Sequence, residues 1–313
     1  MSLSVRFLGT SAARPTVERN VSSLAIEREG ETLMFDCGEG TQRQMMRYGV
    51  SFALSDIFFT HFHGDHLLGV IGLFRTLALQ GRTDPMRLWG PKGAERILRG
   101  ASHFGVDRVG FPIEIREVKA GEPIGRSGYA IVPFGAEHRG ATALGYALVE
   151  APRRGRFNPD LARQLGIPEG PLWGQLHRGQ TVTLPDGRVI ESAQLVGTER
   201  PGRTIVLTGD TRPSDSTVEM ARGADLLIHE ATFGDEEAAR AVETGHSTAR
   251  EAAGVAQRAG VRQLVLTHFS ARYSRDGSDL LREAREAWPG EITLARDGMN
   301  VEVEFADAGD LVG

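Results

Sequence analysis

Short apolar runs broken by turn residues dominate the first sixty positions, and the alternation in Val5-Arg6-Phe7-Leu8 has the two-residue period of a strand. The pattern predicts strands over 5–8, 22–27, 32–35 and 56–60, with a helix over 40–48. Residues 67–80 are apolar nearly all round, as in a helix packed on a sheet, and Gly81-Arg82-Thr83-Asp84-Pro85 ends that run. A strand over 86–89, a helix over 93–100 and strands near 113–118, 129–133 and 143–150 follow. From 151 to about 188, Pro, Gly and Arg accumulate and the periodicity weakens. It resumes with strands over 189–196, 204–207, 226–228 and 264–266, and helices over 211–223, 235–241, 248–260 and 278–288. Two halves, about 1–150 and 189–313, set strands beside helices in the same order. The economical architecture is an α/β sandwich of four layers, helices outside and two sheets inside, in one domain spanning 1–313.

Composition narrows the class without naming a partner. The 313 residues are 40% hydrophobic, enough for a substantial core, and the net charge of -5 gives no global sign of nucleic-acid binding. Any such site must be a local basic patch. The single cysteine, Cys37, cannot close an internal disulfide, so it reads as a small packed residue and the expected setting is cytoplasmic. Residues 1–9 run straight into a strand pattern with no leader signature, and no stretch is apolar enough to span a membrane.

Chemistry concentrates after the strand predicted at 56–60. His61-Phe62-His63-Gly64-Asp65-His66 holds three of the nine histidines in six residues. A turn there lets His61 and His63 face one centre while Asp65 and His66 face a second, and Gly64 permits the sharp bend. Imidazole and carboxylate donors suit zinc at roughly 2.0 to 2.2 Å, and the lack of thiolates argues against a closed structural site. Four more candidates follow the same grammar, an apolar run and then a ligand where it stops: His138, Asp210, His229 and His268. Strand ends favour such sites because the sheet fixes the backbone while loops let side chains converge.

With these residues the chain resembles the metallo-β-lactamase superfamily, whose H-x-H-x-D-H motif is matched residue for residue. The resemblance implies an αββα fold and two Zn2+ ions per subunit: His61, His63 and His138 on the first, Asp65, His66 and His268 on the second, Asp210 bridging. His229 lies outside that set and is expected to hydrogen-bond a ligand carboxylate. Within the superfamily the chain is most similar to the ribonuclease Z family, the tRNA 3′-processing endoribonucleases. Gly9-Thr10-Ser11 with Pro15-Thr16-Val17-Glu18-Arg19-Asn20, Phe35-Asp36-Cys37-Gly38-Glu39-Gly40-Thr41-Gln42, His229-Glu230-Ala231-Thr232, Gly245-His246-Ser247-Thr248 and His268-Phe269-Ser270-Ala271-Arg272-Tyr273 carry that likeness. Val17 stands where the family usually has lysine.

The family likeness implies removal of the 3′ trailer from precursor tRNA, leaving a 3′-hydroxyl on the tRNA and a 5′-phosphate on the trailer. Asp65 would orient or deprotonate the attacking water, and His246, its pKa raised by Glu230, would protonate the leaving oxygen. Arg19, Asn20, Ser270 and Arg272 become candidate RNA contacts. Residues 153–188 resemble the family's protruding tRNA-binding arm, with its glycine-proline motif at Gly170-Pro171. Over 151–190, six arginines, among them Arg153, Arg154 and Arg156, oppose Asp160, Glu169 and Asp186, a local excess able to neutralise phosphates. Trp173 and His177 read first as packing residues, and His103 as structural or surface. The family further implies a homodimer. The same dinuclear site also serves hydrolases of small esters or phosphodiesters, the rival reading, for which a basic arm would have no use.

Overall fold

Strands whose side chains are buried on both faces form the two large sheets of the structure, a computed structural model describing residues 2–105 and 109–306. Met1 and residues 307–313 of the predicted domain lie outside the described residues. In chain order, β1 (Leu3–Gly9), β2 (Ser23–Arg28), β3 (Glu31–Phe35), β4 (Asp56–Phe58), β5 (Met86–Gly90) and β6 (Ile113–Glu117) form the first sheet. Next, β7 (Ile124–Arg126), β8 (Tyr129–Ala136) and β9 (Ala143–Glu150) open the second sheet. After a small hairpin of β10 (Val182–Thr183) and β11 (Val189–Ile190), the second sheet is completed by β12 (Thr204–Leu207), β13 (Leu226–Glu230), β14 (Gln263–Thr267) and β15 (Glu291–Leu294). Finally β16 (Asn300–Glu302) returns to pair antiparallel with β1.

Alternation sorts the side chains into layers. Val5, Phe7, Leu33, Phe35 and Phe58 meet Tyr146, Ile205, Leu207, Leu226 and Ile228 in a core between the sheets. Leu8, Met34 and Ile57 point the other way, into a cluster with Val70, Leu73, Phe74 and Leu98 from helices. Val206, Leu227 and Leu264 likewise meet Ala252, Val255 and Ala256 of the helix Ala249–Ala259. Apolar residues on both faces of a strand are what a sheet covered on both sides requires. The result is the αββα sandwich. No described helix is long and apolar enough to cross a membrane.

Several sequence expectations need correction. The halves do not coincide with the sheets: β7 to β9, from the first half, pair in the second sheet, and β16, from the end, pairs in the first. The predicted 67–80 helix is two helices, Gly64–Leu67 and Gly69–Leu79. Around the break, the His66 carbonyl accepts from Cys37 N at 2.7 Å and Gly69 N donates to the Cys37 carbonyl at 2.9 Å, so backbone groups of the motif region serve a neighbouring loop. The predicted 211–223 helix shrinks to Asp215–Met220, capped by Ser214, because Arg212 is held in an extended bridge to Glu137. Residues 189–196 do not begin a new half; Val189–Ile190 pairs with Val182–Thr183, and a 3-10 turn follows at Ser192–Gln194. Periodicity reports a strand but not its partner.

The chain divides into a large unit, residues up to Val149 and from Arg203 onward, and a small unit, Glu150–Gly202. The insertion is therefore longer than 153–188. Its ends are tied together by Arg153 N to Arg200 O at 2.7 Å, the reciprocal Arg200 N to Arg153 O at 2.8 Å, and Gly197 N to Arg156 O at 3.0 Å. Two helices, Pro159–Gln164 and Pro171–His177, bury Ala162 and Leu176, with Ile167 from the turn between them, against Val182, Leu184, Ile190 and Leu195. A segment with its own apolar core is a folded element, not a loose loop. In the large unit Val149 and Thr204 are directly paired between β9 and β12, so the small unit occupies the place of a hairpin turn in the chain.

Candidate active site

At the end of β4 the chain is held by one buried carboxylate. Asp36, in the left-handed region at φ 56°, accepts from Thr60 N at 2.8 Å, Thr60 Oγ1 at 2.9 Å and His66 Nδ1 at 2.7 Å. The Thr60 hydroxyl, its proton committed to Asp36, in turn accepts from His61 Nδ1 at 3.1 Å. One residue thus orients both ends of the histidine motif.

The predicted ligands converge in two groups. His63 Nδ1 lies 3.0 Å from His61 Nε2 and 3.1 Å from His138 Nε2, while His66 Nε2 lies 3.3 Å from His268 Nε2, with Asp65 Oδ2 at 3.6 and 3.4 Å from these two nitrogens. Asp210 serves both groups: Oδ2 is 3.6 Å from His61 Nε2 and 4.0 Å from His138 Nε2, and Oδ1 is 3.3 Å from His66 Nε2 and 3.2 Å from His268 Nε2. Donor atoms at about 2.1 Å around a tetrahedral zinc stand about 3.4 Å apart. Facing nitrogens at such separations repel unless a cation or proton lies among them. Moreover, Asp210 Oδ1 is buried with no hydrogen-bond partner among the described residues. The donor set fits metal binding, with Asp210 common to both groups.

The outer ring nitrogens are committed as well. His138 Nδ1 donates to the Gly245 carbonyl at 2.9 Å, and His268 Nδ1 to Thr232 Oγ1 at 2.9 Å, whose own proton goes to Glu230 Oε2 at 2.8 Å. Ala13 N donates to Asp65 Oδ2 at 2.7 Å. Fixing Nδ1 on His61, His66, His138 and His268 leaves Nε2 of each available to a metal ion. Asp36, Thr60, Thr232 and the Gly245 carbonyl had no role assigned from sequence. Beyond its place in a family-like segment, the signal for Asp36 is a carboxylate at the end of an apolar run, where it also fits a surface turn.

Charge in the site has a consequence for metal uptake. Burial opposes a proton on His66, but Asp210 and Asp36 outweigh it and hold its pKa well above the usual range. A metal must displace that proton, so binding releases protons and apparent affinity rises with pH. Calorimetric metal titrations of the metal-free protein in buffers of different ionisation enthalpy should therefore give buffer-dependent heats; heats equal in all buffers would contradict this.

Beside the ligands, His246 Nδ1 donates to Glu230 Oε1 at 2.9 Å, and its ring stacks on His268 at 5.4 Å between centroids. Glu230, buried, also accepts from Thr211 N and Thr232 N, both at 3.1 Å. Burial works against a charged His246, yet Glu230 and Asp210 prevail, and its pKa is pushed up to about 9. Gly245, at φ 76°, places this residue, and a Cβ there would meet Arg139 N at 2.5 Å. His63, Asp65, Asp210, His246 and His268 line a cleft of about 660 Å³, with Ser270, Arg272, Arg14 and Arg240 also on its walls. Arg14 and Arg240 carried no motif signal.

Other expectations are revised. His229 Nδ1 donates to the Glu230 backbone carbonyl at 2.7 Å instead of to a ligand carboxylate, because the alternation of β13 turns it away from the side of Glu230. Arg19 is buried: Nη1 donates to Thr10 Oγ1 and the Ala295 carbonyl, both at 2.7 Å, and Nε to the Ser274 carbonyl at 3.1 Å. That guanidinium braces the protein through Nε and Nη1. Asn20 braces too, through Glu39 O at 2.8 Å, whereas Val17 is 95% exposed. Arg272 pairs with Glu237 at 2.7 Å. Cys37 is buried, its thiol pushed up to about 12 by burial, and His103 is exposed.

In the small unit, Gly170 takes φ 135°, a conformation open to glycine, and Pro171 begins the next helix. Trp173 is a packing residue, donating Nε1 to the Ile167 carbonyl at 3.1 Å and lying 5.3 Å from Phe157, which His177 also meets edge-on. Arg163 pairs with Asp160 and Glu169, and Arg188 with Asp186, each at 2.8 Å. Arg154 Nη1 donates to the His177 carbonyl at 3.1 Å, and Arg153 Nε to the Pro201 carbonyl at 3.3 Å. The longer bounds add Glu150, Glu191 and Glu199 against Arg200 alone, so the charge excess counted over 151–190 is smaller over the whole unit.

Residues 3–102 match the family model of the anti-Pycsar protein Apyc1, and residues 195–269 match that of the beta-lactamase superfamily domain. Over its length the chain is 64% identical to ribonuclease Z of Gemmatimonas aurantiaca, with 98% of each chain covered. It is 52% identical to ribonuclease Z of Haloferax volcanii, covering 98% of this chain and 97% of that one. Among solved structures, the short form of human tRNase Z superposes with a TM-score of 0.69 at 28% identity, covering 96% of this chain and 100% of that one.

Proposed function

The chain belongs to the ribonuclease Z family, and from that premise we propose how its own residues cut RNA. The protein is a phosphodiester hydrolase, an endonuclease that removes the 3′ trailer of precursor tRNA. One observation supports the reading at residue level: two ligand groups share Asp210 and open, together with the His246–Glu230 pair, on one cleft.

His61, His63, His138 and Asp210 would hold one zinc ion, and Asp65, His66, His268 and Asp210 a second. Zinc bound there would supply positive charge toward the attacked phosphate and bring the pKa of a water to about 7. Asp65 stays ionised, since burial is outweighed by its bond to His268 and the charge of His66, and its carboxylate orients the attacking water. His246 gives its proton to the departing 3′-oxygen, which otherwise leaves as an alkoxide. Glu230 holds the imidazole by Nδ1, so Nε2 is the donor that faces substrate. Ser270 and Arg272, on the cleft wall, meet the phosphates beside the cut.

Residues 150–202 serve as the tRNA grip, with Gly170-Pro171 and the arginines at 153, 154 and 156 meeting the backbone of a folded RNA by shape and charge. The homodimer and cytoplasmic setting implied by the family belong to the same reading, and the mass in solution tests the first. Joining Val149 to Arg203 through a short glycine-serine turn should abolish precursor cleavage while sparing hydrolysis of a small phosphodiester, because β9 and β12 are already neighbours. Undiminished precursor cleavage by that variant would favour the small-substrate hydrolase. Incubation of the full chain with a precursor tRNA, with and without a chelator, followed by mapping of the new 3′ end, tests the reaction itself.

A further inference from the structure

We propose that Arg212 is the positioning residue of the proton donor, clamping His246 at the cleft; this rests on His246 acting as the acid. Arg212 Nη1 donates to the His246 carbonyl at 2.6 Å and to Glu251 Oε2 at 2.7 Å, while Nη2 donates to Glu251 Oε1. Glu251 is no passing surface acid. It closes the capping box of the helix Ala249–Ala259, accepting from Thr248 N at 2.9 Å, so its position is set by a helix end. Arg212 is fixed from behind as well: its N donates to the Glu137 carbonyl at 2.8 Å, beside His138, and it lies two residues past Asp210.

Arg212 therefore joins three segments: it follows Asp210 in the chain, its backbone amide holds the segment carrying His138, and its planar guanidinium holds the segment carrying the acid. The amide of His246 is held by the Ala241 carbonyl at 2.8 Å, and its carbonyl by Arg212. Without Arg212 the carbonyl loses that donor, and Glu251 loses a two-point partner. The peptide is then free to rotate, and the imidazole with it. Misplacement on the order of 1 Å costs about 10²-fold in rate. Lysine keeps the charge but is a compact ammonium without the planar fork that matches two carboxylate oxygens.

The test uses the full metal-loaded chain, the variants Arg212→Met, Arg212→Lys, His246→Ala and Arg212→Met/His246→Ala, and two substrates. One is a precursor tRNA, whose leaving alkoxide needs a proton; the other is bis(4-nitrophenyl) phosphate, whose nitrophenolate leaves without one. Expected for Arg212→Met is a fall of about 10- to 100-fold in kcat on RNA at unchanged metal content, and at least a tenfold drop in the ratio of RNA to ester turnover. Arg212→Lys recovers part of that ratio. The double variant is no slower on RNA than His246→Ala, because the clamp acts only through the acid. Equal losses on both substrates in both Arg212 variants, or losses that multiply fully in the double variant, overturn the clamp. Equal losses on both substrates for His246→Ala overturn the underlying acid assignment instead. Metal content and the unfolding midpoint, read for every variant, identify a general collapse, which would also overturn the clamp if Arg212→Lys shares it.

Discussion

Replacing His246 by alanine should lower precursor tRNA turnover by about 10²- to 10⁴-fold, the usual worth of a positioned general acid, and leave the metal content of the protein unchanged. At 1.36 kcal/mol per factor of ten this is roughly 3 to 5 kcal/mol of barrier. The variant should fold, because Glu230 keeps the Thr211 and Thr232 amides and the Thr232 hydroxyl as donors when the imidazole is gone. Metal retention is the discriminating measurement. His246 lies close enough to Asp210 and His268 to be taken for a ligand, with Nδ1 3.9 Å from Asp210 Oδ2. Yet that nitrogen is bonded to Glu230 at 2.9 Å, which suits proton delivery better than coordination. Loss of a metal ion from the alanine variant would make His246 a ligand and remove the acid.

The second large effect belongs to Asp210. In Asp210→Asn one carboxylate oxygen becomes an amide nitrogen, which presents hydrogens where a metal ion needs lone pairs. The two oxygens face different ligand groups, so either orientation of the amide deprives one group of a donor. Changes to residues that merely support ligands cost about 10- to 100-fold in metal affinity or activity, and a shared ligand should cost more. Metal analysis after dialysis is expected to find at least one ion per chain lost, with precursor cleavage down by roughly 10³-fold or more. Full metal occupancy with activity within tenfold of the parent would mean that the carboxylate bridges nothing.

Much of the site was legible because its signal is local. An apolar run followed by histidine or aspartate is visible at 61–66, 138, 210 and 268 without knowing which strands are neighbours, and the structure brings these side chains together. The supports were not legible. Asp36 meets Thr60 and His66 only after β3 and β4 pair, and Thr232 reaches His268 only because β13 and β14 lie side by side. The bracing of Arg19 is equally invisible in the sequence: only the packing of its loop against Ala295 and Phe269 turns the guanidinium inward. Residues 189–196 show the same limit, since two apolar positions at strand spacing fit a hairpin as well as a sheet. The insertion lacks a readable period because its helices are of six and seven residues, too short to display one.

Val149 and Thr204 face each other across a ladder whether fifty residues or five separate them along the chain. With residues 150–202 as the proposed tRNA grip, substrate preference and bond-breaking chemistry should be separable: lengthening, trimming or exchanging what lies between these two positions is expected to leave the register of the reactive sheet intact. A chimera carrying the corresponding segment of a relative should inherit the donor's choice of RNA and keep the host's own turnover chemistry.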